Sequence, residues 1–166
     1  MTERKRLKIG SKIIEGGKVY RVFEIEEKKV NGKIEIIIHY QPHYTDVSNK
    51  TLVCSIPESS LKKINVRRPV SKKEMNELLG GLSKRSKKRN ALEIVKAKSI
   101  LSLNDIYKTV IVIKRYWREK KKEGDSFSKS KKDILDMAIN KTVEEVALVT
   151  GISLSKAKDK IIIALN

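Results

Sequence analysis

Residues 67–82, RRPVSKKEMNELLGGL, separate two textures of sequence. Pro69-Val70-Ser71 marks the boundary. Ser71-Lys72-Lys73-Glu74 has the spacing of a capping box, in which the serine hydroxyl accepts from the amide three residues on and the glutamate reaches back to the serine amide. Met75, Leu78, Leu79 and Leu82 then recur at three and four, one face of a helix. Gly80-Gly81 weakens that helix at its end. Upstream of the boundary the apolar period is two; downstream it is three to four. The expected fold class is α+β: a small, bent β-sheet or barrel of the SH3-like or Tudor-like kind over residues 1–70, then an all-helical module of five to six helices over residues 71–166.

In the first module, Lys12-Ile13-Ile14 precedes a Glu15-Gly16-Gly17 turn. Across Lys18 to Lys28, KVYRVFEIEEK, the residues Val19, Arg21, Phe23 and Ile25 alternate with Tyr20, Val22, Glu24 and Glu26. Asn31-Gly32 is a tight hairpin turn, since both residues tolerate positive φ. Ile34 to Tyr40 predicts a third strand, Thr51 to Ile56 a fourth, and Leu61 to Val66 a fifth. Cys54 alternates with Leu52 and Ile56, which predicts a buried packing thiol.

The second module continues with a helix over about Asn90 to Ile100, its buried stripe being Ala91, Leu92, Val95 and Ile100. A long helix follows from about Leu103 to Lys122, with Leu103, Ile106, Tyr107, Val110, Ile113, Tyr116 and Trp117 at helical spacing. That stripe places Trp117 in the core. Ser130 and Thr142 each begin a cap-like quartet, predicting separate fourth and fifth helices. Gly151 is expected in the left-handed conformation, and Ser153 to Leu165 forms the last helix.

Charge narrows the class of partner. The chain of 166 residues has 38 Lys and Arg against 20 Asp and Glu, a formal net charge of +18. Residues 1–70 contribute 15 basic and 8 acidic residues; residues 71–166 contribute 23 and 12. Such an excess favours a polyanion, either nucleic acid or an anionic membrane surface. Five of the six residues from Lys84 to Arg89 are basic: Lys84, Arg85, Lys87, Lys88 and Arg89. Arg115, Arg118 and Lys132 extend the cationic surface if the helices pack side by side. A lone basic run is more often a solvated helix start, but a second cluster follows at Lys114 to Lys122.

The chemistry of catalysis is not encoded in a recognisable pattern. There is no phosphate loop, dinucleotide fingerprint, paired-cysteine zinc spacing or Ser/His/Asp constellation, so no enzyme, cofactor or metal is expected. His39 and His43 are four apart but fall on a strand and a loop without a third ligand. A single cysteine fits a reducing compartment. The opening MTERKRLKIG leads into no apolar run, so neither a signal peptide nor a membrane span is expected, and a cytoplasmic, nucleoid-associated location follows. Glu145 to Ile161, EVALVTGISLSKAKDKI, resembles a helix-turn-helix with Lys156, Lys158 and Lys160 on its second helix. It supports an alternative reading as a stand-alone DNA- or RNA-binding protein.

Ile9-Gly10 followed by Val19-Tyr20-Arg21-Val22-Phe23-Glu24-Ile25-Glu26 resembles the opening of the CarD/CdnL family of bacterial transcription regulators. Ser55-Ile56-Pro57, then Ile64-Asn65-Val66-Arg67-Arg68-Pro69-Val70-Ser71, is similar to that family's junction between modules. Phe127-Ser128, Asp133-Ile134-Leu135 and Glu144 to Ser153 resemble its C-terminal helices. The resemblance implies a Tudor-like first module that binds the RNA polymerase β subunit and a helical module that holds promoter DNA, affecting open-complex formation. It implies no small-molecule substrate and no membrane partner. It places polymerase contacts on the face around Arg21 to Lys28, with Lys28 matching one basic contact and Ser55 standing where the family has a second. The family's wedge tryptophan would fall in or just after Lys84 to Lys88, where this chain has only Lys, Arg and Ser.

Overall fold

Four antiparallel strands form a meander in the order β1 Lys12–Glu15, β2 Lys18–Val30, β3 Lys33–Pro42 and β4 Cys54–Pro57. The computed structural model describes residues 6–84 and 91–166, which separate into two units, Met1–Pro69 and Val70–Asn166. Asn31 and Gly32 take φ of 49° and 79°, which closes the β2–β3 hairpin as the Asn-Gly pair predicts. After β4, a 3-10 turn at Glu58–Ser60 leads into further turns, and the expected fifth strand over Leu61 to Val66 does not form. Only Arg67 returns to the sheet, exchanging backbone hydrogen bonds of 2.8 and 3.1 Å with Ile14. The Leu61 to Val66 segment instead turns on local bonds, with Asn65 at φ 55°.

One face of the sheet builds the core from Ile13, Val22, Ile38, Tyr40 and Ile56. The strict alternation expected along β2 breaks at Phe23. A bulge there shifts the register between Val22 and Glu24, so Glu24 pairs with His39 where Phe23 would otherwise stand. The fourth strand begins only at Cys54. Leu52 and Val53 precede it and are exposed, and Cys54 is half-buried at the edge of the core rather than enclosed.

The helical unit comprises α1 Lys72–Leu82, α2 Ile94–Ser102, α3 Ile106–Glu123, α4 Lys129–Thr150 and α5 Leu154–Leu165. Ser71 and Glu74 form both bonds of the capping box, at 3.2 and 2.8 Å. The expected fourth and fifth helices are one. Thr142 is no cap: its hydroxyl donates to the Ile139 carbonyl one turn back, inside α4. Glu145, fully buried on α4, accepts from the Val70 amide at 2.9 Å and so fixes the chain at the entry to α1. Gly151 ends α4 at φ 71°, ψ 32°, the left-handed cap expected of it.

The unit's core gathers Met75, Leu79, Leu101, Val112, Ile113, Tyr116, Ile134, Leu135, Val146 and Ile161. The stripe expected in α2 is displaced. The helix starts at Ile94, so its phase is set by Ala97 and Leu101, and Val95 is left 78% exposed. Trp117 is half-buried at the margin of the core, not in it. No described helix is long and apolar enough to cross a membrane.

Candidate nucleic-acid interface

The cationic residues of α3 are organised by its pairing with α1. The Tyr107 hydroxyl donates to Glu74 Oε1 at 2.8 Å, Lys114 Nζ to the Gly81 carbonyl at 2.5 Å, and an Arg118 guanidinium nitrogen to the Lys84 carbonyl at 2.5 Å. These contacts keep sequence offsets of 33, 33 and 34, so the two helices run parallel, with their N-terminal ends level and the end of α1 beside the middle of α3. Lys114 and Arg118 are one helical turn apart and face the same neighbour. Lys114 supplies a donor to a carbonyl that the end of α1 leaves unsatisfied, Arg118 binds the chain just beyond it, and both charges suit the negative end of its dipole.

The other side of the basic segment is held on the same turn of α3. The Tyr116 hydroxyl donates to the Leu92 carbonyl at 2.9 Å, and Glu119 Oε1 accepts from the Leu92 amide at 3.4 Å. Leu92 itself is buried. The chain therefore departs at Lys84 beside Arg118 and returns at Leu92 beside Tyr116 and Glu119. Arg85, Lys87, Lys88 and Arg89 lie outside the described residues; Lys84 and Leu92, on either side of them, are anchored to three residues of one turn of α3, Tyr116, Arg118 and Glu119.

Electrostatics bears on the same place. Lys114 is held below the usual lysine range, first by burial and then by the neighbouring charges of Arg118 and Lys84. Three cations thus sit close enough to repel one another, an arrangement that an anion relieves. Arg115 is half-buried on the next position of α3, and Lys120, Lys121 and Lys122 continue around its exposed last turn. Lys120 and Lys121 place their ammonium groups 5.2 and 6.0 Å from the centre of the Trp117 ring. Lys132 is exposed on the first turn of α4. Its neighbour Lys131 turns inward instead, 2.9 Å from Glu119 and 3.4 Å from Glu123, and ties α4 to α3.

Lys114 is the residue that reading by cluster alone undervalues. Its i, i+4 relation to Arg118 was visible in the sequence, but only the pairing with α1 shows that the two act on one spot. On α5, Lys156, Lys158 and Lys160 are all exposed. At 100° per residue, Lys156 and Lys160 share a face and Lys158 lies on the other side, so the three do not form one reading surface.

In the first unit, the residues expected to meet a protein partner share the sheet face opposite the core. Arg21 is opposite Gln41, Lys28 opposite Glu35, and Ser55 opposite His39. Arg21 and Lys28 are an odd number of residues apart and would point to opposite faces of a regular strand. The bulge at Phe23 brings them to the same one. Ser55 is engaged there: its hydroxyl is 2.7 Å from His39 Nδ1, while His39 Nε2 lies 3.4 Å from Glu26. No group of three or more His, Cys, Asp or Glu among the described residues could hold a metal ion.

Compared with protein-family models and with curated protein sequences, the chain matches none.

Proposed function

We propose that the chain is a DNA-binding transcription regulator: the helical unit holds promoter DNA through its phosphates, and the sheet unit docks on the RNA polymerase β subunit. The observation that carries the DNA half is the clasp of the basic segment. Lys84 and Leu92 are both held by α3, beside Arg115, Lys114 and Arg118. Cations brought to one place neutralise successive phosphates and release their counterions. Such contacts fix position and carry little sequence information. The function is binding rather than catalysis.

The polymerase half rests on the resemblance to CarD/CdnL proteins, supported by the shared sheet face of Arg21, Lys28 and Ser55. Reversing a charge on that face separates the two activities. Lys28→Glu in the full chain is expected to weaken binding to polymerase in a pull-down or interferometry assay while DNA affinity stays within about twofold, as expected for contacts on separate surfaces. Equal loss of both would show that one surface serves both partners.

A further inference from the structure

The last turn of α1 contains a pair of glycines that the fold does not require. Neither Gly80 nor Gly81 takes a positive φ. A Cβ added at either would meet nothing within 4 Å among the described residues. Each glycine nonetheless favours the unwound chain, by roughly fivefold relative to alanine in a helix interior. The same turn supplies the Gly81 carbonyl held by Lys114 and leads directly to the Lys84 carbonyl held by Arg118. An easily opened turn is therefore shut by two cations that sit together with Lys84.

We propose that Lys114 and Arg118 form a phosphodiester-binding site latched by the end of α1, and that a nucleic-acid backbone opens the latch by taking both cations from their carbonyls. The inference rests on the nucleic-acid reading given above and adds to it the site and the motion. A cation paired with a phosphate gains the attraction of a full opposite charge, which a neutral carbonyl does not offer. Phosphate also relieves the repulsion among Lys84, Lys114 and Arg118, which neutral carbonyls do not. The cost is the loss of one helical turn, and two glycines keep that cost low. Release of the turn frees the chain that leads into Arg85 to follow the ligand.

The test uses the full chain and a fluorescent DNA duplex without a chosen sequence. With DNA bound, amides from Gly80 to Lys84 exchange faster with solvent, while those of the α3–α4 core do not. Gly80→Ala with Gly81→Ala raises thermal stability, slows exchange at this turn and weakens DNA binding by roughly tenfold, the closed state being favoured by both alanines. Lys114→Gln lowers the slope of log affinity against log salt by about 0.9, one phosphate. Unchanged affinity in the double-alanine variant, or an unchanged salt slope in Lys114→Gln, overturns the latch. If the unaltered chain shows no salt-dependent DNA binding, the nucleic-acid reading falls and takes the latch with it. Binding by the unaltered chain that the alanines leave untouched overturns the latch alone.

Discussion

Glu74 does two jobs with one carboxylate. Oε2 accepts from the Ser71 amide and Oε1 from the Tyr107 hydroxyl, so the residue that begins α1 also ties it to α3. Its carboxyl is held below the usual range, first by the Ser71 side chain, then by the Ser71 backbone and Tyr107. A depressed folded value means that the stabilisation is complete above the ordinary value of 4.5 and is lost as pH falls through the folded one. Glu74→Gln is therefore expected to be less stable than the unaltered chain at neutral pH, with the gap closing as pH falls below 4.5. Denaturant titrations across that range measure it. A gap that is constant with pH would show that the carboxylate's charge contributes nothing. The capping box itself was legible, because Ser and Glu at that spacing before an apolar series have few other uses. The bond to Tyr107 was not, because it joins residues 33 apart.

Among the elements, what sequence pattern conveyed well was the order of strands and helices, and what it missed was continuity. Thr142-Val143-Glu144-Glu145 has the form of a helix start, yet it lies inside α4. A threonine hydroxyl can bond back to a carbonyl in its own helix as readily as it can cap one, and Glu145 is spent on Val70 rather than on a cap. In β2 the alternation looked regular because a bulge leaves no local mark; only the pairing with β3 reveals it. Lys84, Lys114 and Arg118 were legible as members of two clusters, while their meeting depended on the parallel arrangement of α1 and α3. Lys131 is the polar tie between α3 and α4, and its pKa is raised, chiefly by its hydrogen bond to Glu119. A raised folded value makes its contribution complete below the ordinary value of 10.5 and lost as pH climbs through the folded one. Lys131→Met is expected to cost stability at neutral pH, with the difference from the unaltered chain shrinking above pH 10.5 in urea titrations. If the difference persists there undiminished, the aliphatic stem rather than the ion pair secures α4.

A formal charge of +18 attracts any polyanion non-specifically, so affinity alone would not identify a site. Salt dependence separates a concentrated site from a diffuse one. Each phosphate neutralised on duplex DNA contributes about −0.9 to the slope of log affinity against log salt. If the clasped segment is the site, Lys87→Ala, Lys88→Ala and Arg89→Ala together flatten that slope by roughly 2.7 and lower affinity by a similar factor on every sequence. An equal number of alanines at Lys156, Lys158 and Lys160, which α5 spreads around its axis, leaves the slope much nearer its original value. Trp117 supplies a contrast of another kind. Its ring is partly enclosed and flanked by Lys120 and Lys121, so Trp117→Ala removes packed area and lowers stability by about 2–3 kcal/mol, while the salt slope stays where it was. Fluorescence anisotropy over a salt series, paired with thermal unfolding of each variant, resolves the cases. A Trp117→Ala protein that kept its stability but lost DNA binding, beside a triple variant that bound normally, would move the interface from the clasped segment to the exposed end of α3.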